Sequence, residues 1–282
     1  ALLLLPSERT TALALVVVAV ALGIVVLAYR AGLVALGIAG LVGGLLLLGV
    51  TVETHQRVAT TFVDWPLLGV LVVWALIHAG GVLWSLARGR PAHAIDLASL
   101  SASPLSLVLL VFGATSDEVP TLRALFTALA GAADLGMAAW ISRARPDVRS
   151  WVSILAAQAL GLFAVSLAFA LSGATVSLVW AALAFVAALL WAHERTPTWA
   201  TALGVLVTAT LVRVLVVDVA ETQDLLSSYR WTQGRQGIYE LAPFLNARAL
   251  ALLGSGVALL VSALVLVRAD RRVDGEAFNI TL

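Results

Sequence analysis

The chain has 282 residues, 61% hydrophobic and 12% charged, with a formal net charge of +1 and a mean hydropathy of +1.03. A soluble domain is roughly 45–50% apolar and about 25% charged. The composition excludes a soluble globular enzyme, a disordered chain and a nucleic-acid-binding module. At about 20 residues per crossing plus short loops, the length allows roughly eight to ten spanning helices. All 17 basic residues are Arg, which fits a GC-rich coding sequence. Cysteine is absent, which rules out a disulfide, a thiolate metal site and a Cys nucleophile.

The opening, Ala1-Leu2-Leu3-Leu4-Leu5-Pro6, has no basic region before its apolar run. It reads as the tail of an earlier helix or of a removed segment, so a longer gene product is expected. The first span is expected at 11–28, stopping at Tyr29-Arg30, and the second at 31–50. The polar stretch Glu53-Thr54-His55-Gln56-Arg57 follows. The third span is expected at 66–86. The fourth, at 97–114, is weaker; Ser99, Ser101, Ser103 and Pro104 make a kinked or re-entrant segment an alternative to a full crossing. Further spans are expected at 121–141, 151–171, 175–191 and 198–219. A polar segment at 220–246 precedes the ninth span at 247–267, and 268–282 is a polar tail.

The expected fold is an all-α polytopic transmembrane bundle of about nine spans, one helical domain over 1–282. Trp65, Trp84, Trp140, Trp151, Trp191 and Trp199 fall at span ends, where an indole suits the interface; Trp74 and Trp180 fall inside spans. With nine spans, one side carries ten Arg and the other six, with Arg213 inside a span. The positive-inside rule then places the C-terminus in the cytoplasm and the 220–246 loop outside.

Small residues mark close helix contacts. Gly37, Gly40 and Gly44 share one face of span two. Ala124, Ala128, Ala132 and Gly136 form a smooth stripe on span five, for packing within the chain or against a partner.

Ionisable groups within spans are costly and mark sites by default. His78, Asp134 and Gln158 each lie seven or eight residues from the same expected end. At 1.5 Å per residue this is a common depth of roughly 10–12 Å. The layer is either a structural hydrogen-bond network or a path for protons or a cation. Arg213, about six residues from the outer end, can snorkel or pair with Asp218, Asp117 or Glu118.

The outer segment contains Asp224, Trp231 and Glu240, with Tyr229, Arg230, Arg235 and Tyr239. Aromatic rings with carboxylates and Arg suit a glycan or lipid headgroup, and paired carboxylates can do acid–base work. An interfacial loop dipping into headgroups explains the same residues. No GxxxxGK[ST], HExxH or GxSxG motif is present, and His193-Glu194-Arg195 lacks a second His for zinc. A lone His78 is a weak case for haem. No cofactor and no metal are therefore expected.

Residues 172–184 (Ser-Gly-Ala-Thr-Val-Ser-Leu-Val-Trp-Ala-Ala-Leu-Ala), 212–218 (Val-Arg-Val-Leu-Val-Val-Asp) and 243–248 (Pro-Phe-Leu-Asn-Ala-Arg) form an ordered set. The set resembles a family of large bacterial multi-spanning proteins known as predicted membrane proteins with a domain of unknown function, over roughly 100–270. The resemblance implies a helical inner-membrane protein connected with the envelope, and no particular reaction. It draws attention to Arg213, Asp218, Asn246 and Arg248 near the outer interface.

Three functions follow as expectations. The first is a non-catalytic structural or accessory subunit, with the lipid bilayer and other membrane proteins as partners. The second is a transporter or proton- or ion-conducting protein using His78, Asp134 and Gln158. The third is an envelope glycan or lipid-linked sugar enzyme acting at 220–246.

Overall fold

The structure is a computed structural model that describes residues 6–31, 34–58, 63, 65–115, 119–218 and 252–265; in the first two helices side chains are described over 12–28 and 39–53. The described elements are helical: α1 Pro6–Ala31, α2 Val34–Val58, α3 Trp65–Ala87, α4 Ala94–Ala114, α5 Pro120–Ala144, α6 Arg149–Ala170, α7 Thr175–Glu194, α8 Pro197–Arg213 and α9 Leu252–Val265. A 3-10 turn, Pro146–Val148, leads into α6, and a π-helical turn, Val214–Asp218, continues α8. Among the described residues six helical stretches, from Trp65–Ala87 to Pro197–Asp218, are long and apolar enough to cross a membrane. The chain is an all-α, multi-pass integral membrane protein.

Boundaries agree with the hydropathy reading to within a few residues for α3 to α7. The fourth segment is one continuous helix of 21 residues with Pro104 inside it. At about 1.5 Å per residue that is roughly 31 Å, enough for a full crossing. It begins three residues earlier than hydropathy alone places it, because Asp96 organises its first turn. The Asp96 carboxylate accepts from the His93 backbone N–H at 3.0 Å, as an acidic residue at the third helical position does in a capping box.

The chain divides into two compact units, 1–166 and 167–282. In the first, α4 is the central helix. It adjoins α2, α3 and α5. Three apolar clusters surround it. Leu107, Leu110 and Val111 pack with Leu48 and Val52 of α2 and Leu67, Leu71 and Trp74 of α3. Leu100 packs with Val82 and Leu86 of α3, Ala138 and Ile141 of α5, and Trp151 and Leu155 of α6. Val108 packs with Ala130 and Leu162.

Polarity in this unit is inverted relative to a soluble fold. Leu46, Leu76 and Leu109 are 64–66% exposed, whereas Ser103, Thr127 and Asp134 are at most 1% exposed. Outward apolar surface on this scale belongs against lipid. On α4 buried hydroxyls bond back to their own helix: Ser103 donates to the Ser99 carbonyl at 2.8 Å and Ser106 to the Ser103 carbonyl at 2.9 Å. Ser166 of α6 instead donates across to the Ala124 carbonyl of α5 at 2.7 Å.

Glycines admit the closest contacts. A Cβ on Gly44 of α2 would lie 2.7 Å from Trp74 Nε1, and one on Gly40 would lie 2.7 Å from Ile24 Cγ2 of α1. Gly113 of α4 meets Val52 of α2 in the same way, at 2.8 Å. Gly37 lies in the part of α2 whose side chains fall outside the described residues. On α5 the packed face is Ala124, Thr127, Ala130, Gly131, Asp134 and Ala138. Ala128 is half-buried, while Ala132 and Gly136 are exposed.

In the second unit, α7 buries Ser177, Ala181, Ala184 and Ala188 along one stripe and adjoins α8. Such a smooth face permits close approach in lipid. Gly254 of α9 meets Leu178 of α7; a Cβ there would lie 2.7 Å from Leu178 Cδ1.

Trp74 is a large, fully buried ring, so the Gly44 contact has little room to give. Gly44→Ala is expected to cost about 1–3 kcal/mol through overpacking. Gly49→Ala, with nothing within 4 Å, is the matched control. Thermal unfolding in mild detergent should show an earlier transition for the first substitution alone.

Candidate functional site

The His78, Asp134 and Gln158 layer can be placed from the packing of α3, α5 and α6. Val82, Ala138 and Leu155 share one apolar cluster. His78 precedes Val82 by one turn, Asp134 precedes Ala138 by one turn, and Gln158 follows Leu155 by one turn. All three residues therefore lie one turn from the same cluster, with α6 running opposite to α3 and α5.

Their side chains nevertheless separate into two environments. His78 sets its ring edge-on to Trp74, centroids 5.1 Å apart at 66°. Its Cε1 lies 3.8 Å from where a Cβ on Gly40 of α2 would sit. Among the described residues its Nε2 has no hydrogen-bond partner. Asp134 is wholly buried and interacts with Gln158. Among the described residues neither of its carboxyl oxygens accepts a hydrogen bond of good geometry.

Of the two N–H groups of the Gln158 amide, one is committed to α4. Its Nε2 donates to the Ser101 carbonyl of α4 at 2.8 Å. Pro104 has no N–H, so the Leu100 carbonyl lacks its usual partner on α4. The Gln158 amide bonds the next carbonyl, that of Ser101. The site thus joins α4, α5 and α6 through one amide and one carboxyl.

One end of the first unit is closed by two arginines that hydropathy did not single out. Arg90 donates to Asp96 Oδ1 at 2.5 Å and to Ser85 Oγ at 3.2 Å. Arg145 reaches across to the α3–α4 connection, donating to the carbonyls of Leu86 at 3.2 Å and Arg90 at 3.0 Å. Its other nitrogens grip Asp147 at 2.9 and 2.7 Å. That bidentate contact raises the Arg145 pKa further still. The Arg145 contacts bring Arg88, Arg90, Arg143 and Arg149 to one end of the unit, as the alternation of spans requires. The available signals were Asp96 three residues after His93 and an Arg in each of the two loops. The opposite end carries Arg123, which donates to Thr115 Oγ1 at 3.1 Å and to the Phe112 and Thr115 carbonyls at 3.1 and 2.6 Å. A cation at the last carbonyls of α4 also suits the helix dipole.

In the second unit Arg213 donates to the Gly173 carbonyl at 3.2 Å and lies 4.0 Å from Asp218. Ser177 Oγ donates to the other oxygen of Asp218. The guanidinium is held within the unit, not extended toward an interface. The π turn brings Asp218 onto Ser177 of α7; such turns often lie at functional positions. Asp117, Glu118, Asp224, Trp231, Glu240, Asn246 and Arg248 lie outside the described residues. Two of the expected interfacial indoles are core residues instead. Trp151 packs between α3 and α5, and Trp199 is buried with its N–H donating to Glu194 at 2.7 Å. A satisfied N–H lets the rest of an indole act as apolar filling.

Among the described residues no cluster of His, Cys, Asp and Glu can hold a metal ion. Asp96→Ala removes the carboxylate that ties the start of α4 to Arg90. It is expected to cost roughly 1–3 kcal/mol, the range for a lost buried partner. Arg143→Ala, at an exposed position, should stay within about 0.5 kcal/mol of the parent. Detergent thermal melts compare the two, and hydrogen exchange over 88–96 should quicken only in the first. The chain matches no family model, no curated protein and no solved structure.

Proposed function

We propose that the chain is a structural or accessory subunit of a larger assembly in a bacterial cytoplasmic membrane, with its C-terminus in the cytoplasm. The observation that carries this reading is the outward face of α5. Ala132 and Gly136 are exposed, and a Cβ on Gly136 would meet nothing within 4 Å. Between the exposed Leu129 and Leu135 the two small residues leave a shallow dip, where another helix gains close backbone approach. The likeness to large bacterial multi-spanning proteins in 172–184, 212–218 and 243–248 supports the same setting.

A second reading, a transporter or proton- or ion-conducting protein, is favoured by a different observation. Asp134 lies wholly buried in a spanning helix without a counter-charge in contact among the described residues.

Purification in mild detergent should recover the chain in a stable larger complex. Ala132→Leu with Gly136→Leu should release it as a monomer with an unchanged thermal transition. A wild-type monomer would overturn the subunit reading. For the second reading, wild type reconstituted in vesicles should carry a proton or monovalent-cation flux that Asp134→Asn abolishes. Absence of wild-type flux would remove it.

A further inference from the structure

The end of the first unit that Arg145 closes carries more positive charge than its own carboxylates neutralise. Arg88, Arg90, Arg143, Arg145 and Arg149 gather there. Arg90 is paired with Asp96 and Arg145 with Asp147. Arg88, Arg143 and Arg149 are exposed, and among the described residues no carboxylate pairs with them. The three are also held near one another. α3 and α5 converge at this end, where Val82 and Leu86 share a cluster with Ala138 and Ile141. Arg145, two residues beyond Arg143, donates to the carbonyls of Leu86 and Arg90, which flank Arg88. Arg149 opens α6 directly after the 3-10 turn.

This charge sits at the end of an apolar surface. Val73, Leu76, Gly80 and Trp84 are exposed and follow one another along α3 in steps of three and four residues, which makes them one outward stripe. Arg88 is the next residue of that stripe, and its guanidinium lies 4.1 Å from the centroid of the Trp84 ring. An outward indole suits the headgroup level, so the guanidinium stacked on it is at that level too. Acyl chains are matched by the stripe, and a phosphate oxygen is matched by the planar fork of an arginine. A phosphocholine carries its own ammonium and brings no net charge. An anionic phospholipid brings the charge that this end lacks.

We propose that Arg88, Arg143 and Arg149 form a binding surface for the phosphate of an anionic phospholipid, whose acyl chains run along the outward stripe of α3 from Trp84 to Val73. The lipid neutralises the end of the unit where α3, α5 and α6 converge. It thereby lowers the repulsion among arginines that Arg145 brings together through its bonds to the α3–α4 connection. The surface is separate from the outward face of α5 and from Asp134, and it holds whether the chain is a subunit or a transporter.

Native mass spectrometry of the whole chain in neutral detergent tests this, with phosphatidylglycerol and phosphatidylcholine of the same acyl chains as probes. The wild type should retain phosphatidylglycerol preferentially and melt later with it, and the preference should shrink as salt is raised. One arginine near an anionic surface is worth about fivefold in binding. The triple variant Arg88→Gln, Arg143→Gln, Arg149→Gln should therefore lose roughly tenfold or more in phosphatidylglycerol retention. Its phosphatidylcholine retention and its melting in detergent alone should be unchanged. A photoactivatable phosphatidylglycerol tests the placement on the wild type, independently of any variant's stability; crosslinks should map to 84–93 and 140–151. Equal retention of the two lipids by the wild type overturns the proposal. Crosslinks confined to other segments, or a preference undiminished in the triple variant, overturn the site.

Discussion

A helix bearing a proline, a buried aspartate and a run of serines is poorly suited to face hydrocarbon, where nothing replaces water as a hydrogen-bond partner. α4 is that helix, and the first unit is arranged around it. Its neighbours are α2, α3 and α5, with α6 joined through apolar contacts and the Gln158 bond. Surrounding α4 with protein keeps its serines, which bond back to their own helix, away from hydrocarbon and lets a side-chain amide donate to the Ser101 carbonyl. The apolar residues displaced from this role face outward, where lipid receives them.

The same constraint governs the ends. The start of α4 is fixed by Asp96, and Asp96 is fixed by Arg90. Arg145 then draws the turn before α6 onto the loop before α4. At the other end Arg123 satisfies the final carbonyls of α4. Each arginine supplies several donors in a fixed fork, which suits a place where several carbonyls converge. These contacts set the depth of α4 relative to its neighbours, and hence the level at which Ser101 meets Gln158.

Much of this was legible from periodicity and hydropathy. Long apolar windows gave helices α3 to α7 to within a few residues, because a membrane helix must satisfy its backbone internally and length alone then matters. Counting residues to the span ends gave His78, Asp134 and Gln158 one expected depth, but a count along each helix says nothing about which side chains meet. The fourth segment was the hard case. Its serines lower the hydropathy of a helix that is central, since an average over a window cannot register what surrounds it. Trp151 and Trp199 misled for a related reason: a tryptophan near a span end can face the interface or the core, and spacing does not distinguish the two.

The sequence by itself determined the class, the order of helices and the scarcity of charge within the spans, because these depend on composition and local backbone chemistry. Only the tertiary structure decided which polar groups meet. It separated His78 from Asp134, paired Gln158 with Ser101, joined Arg213 to Gly173 and Asp218, and turned Ala132 and Gly136 outward. Side-chain direction depends on the rotation of each helix about its axis, and that rotation is set by packing against neighbours. The charge deficit thus fixed how few sites the chain has, and packing fixed what each of them can do.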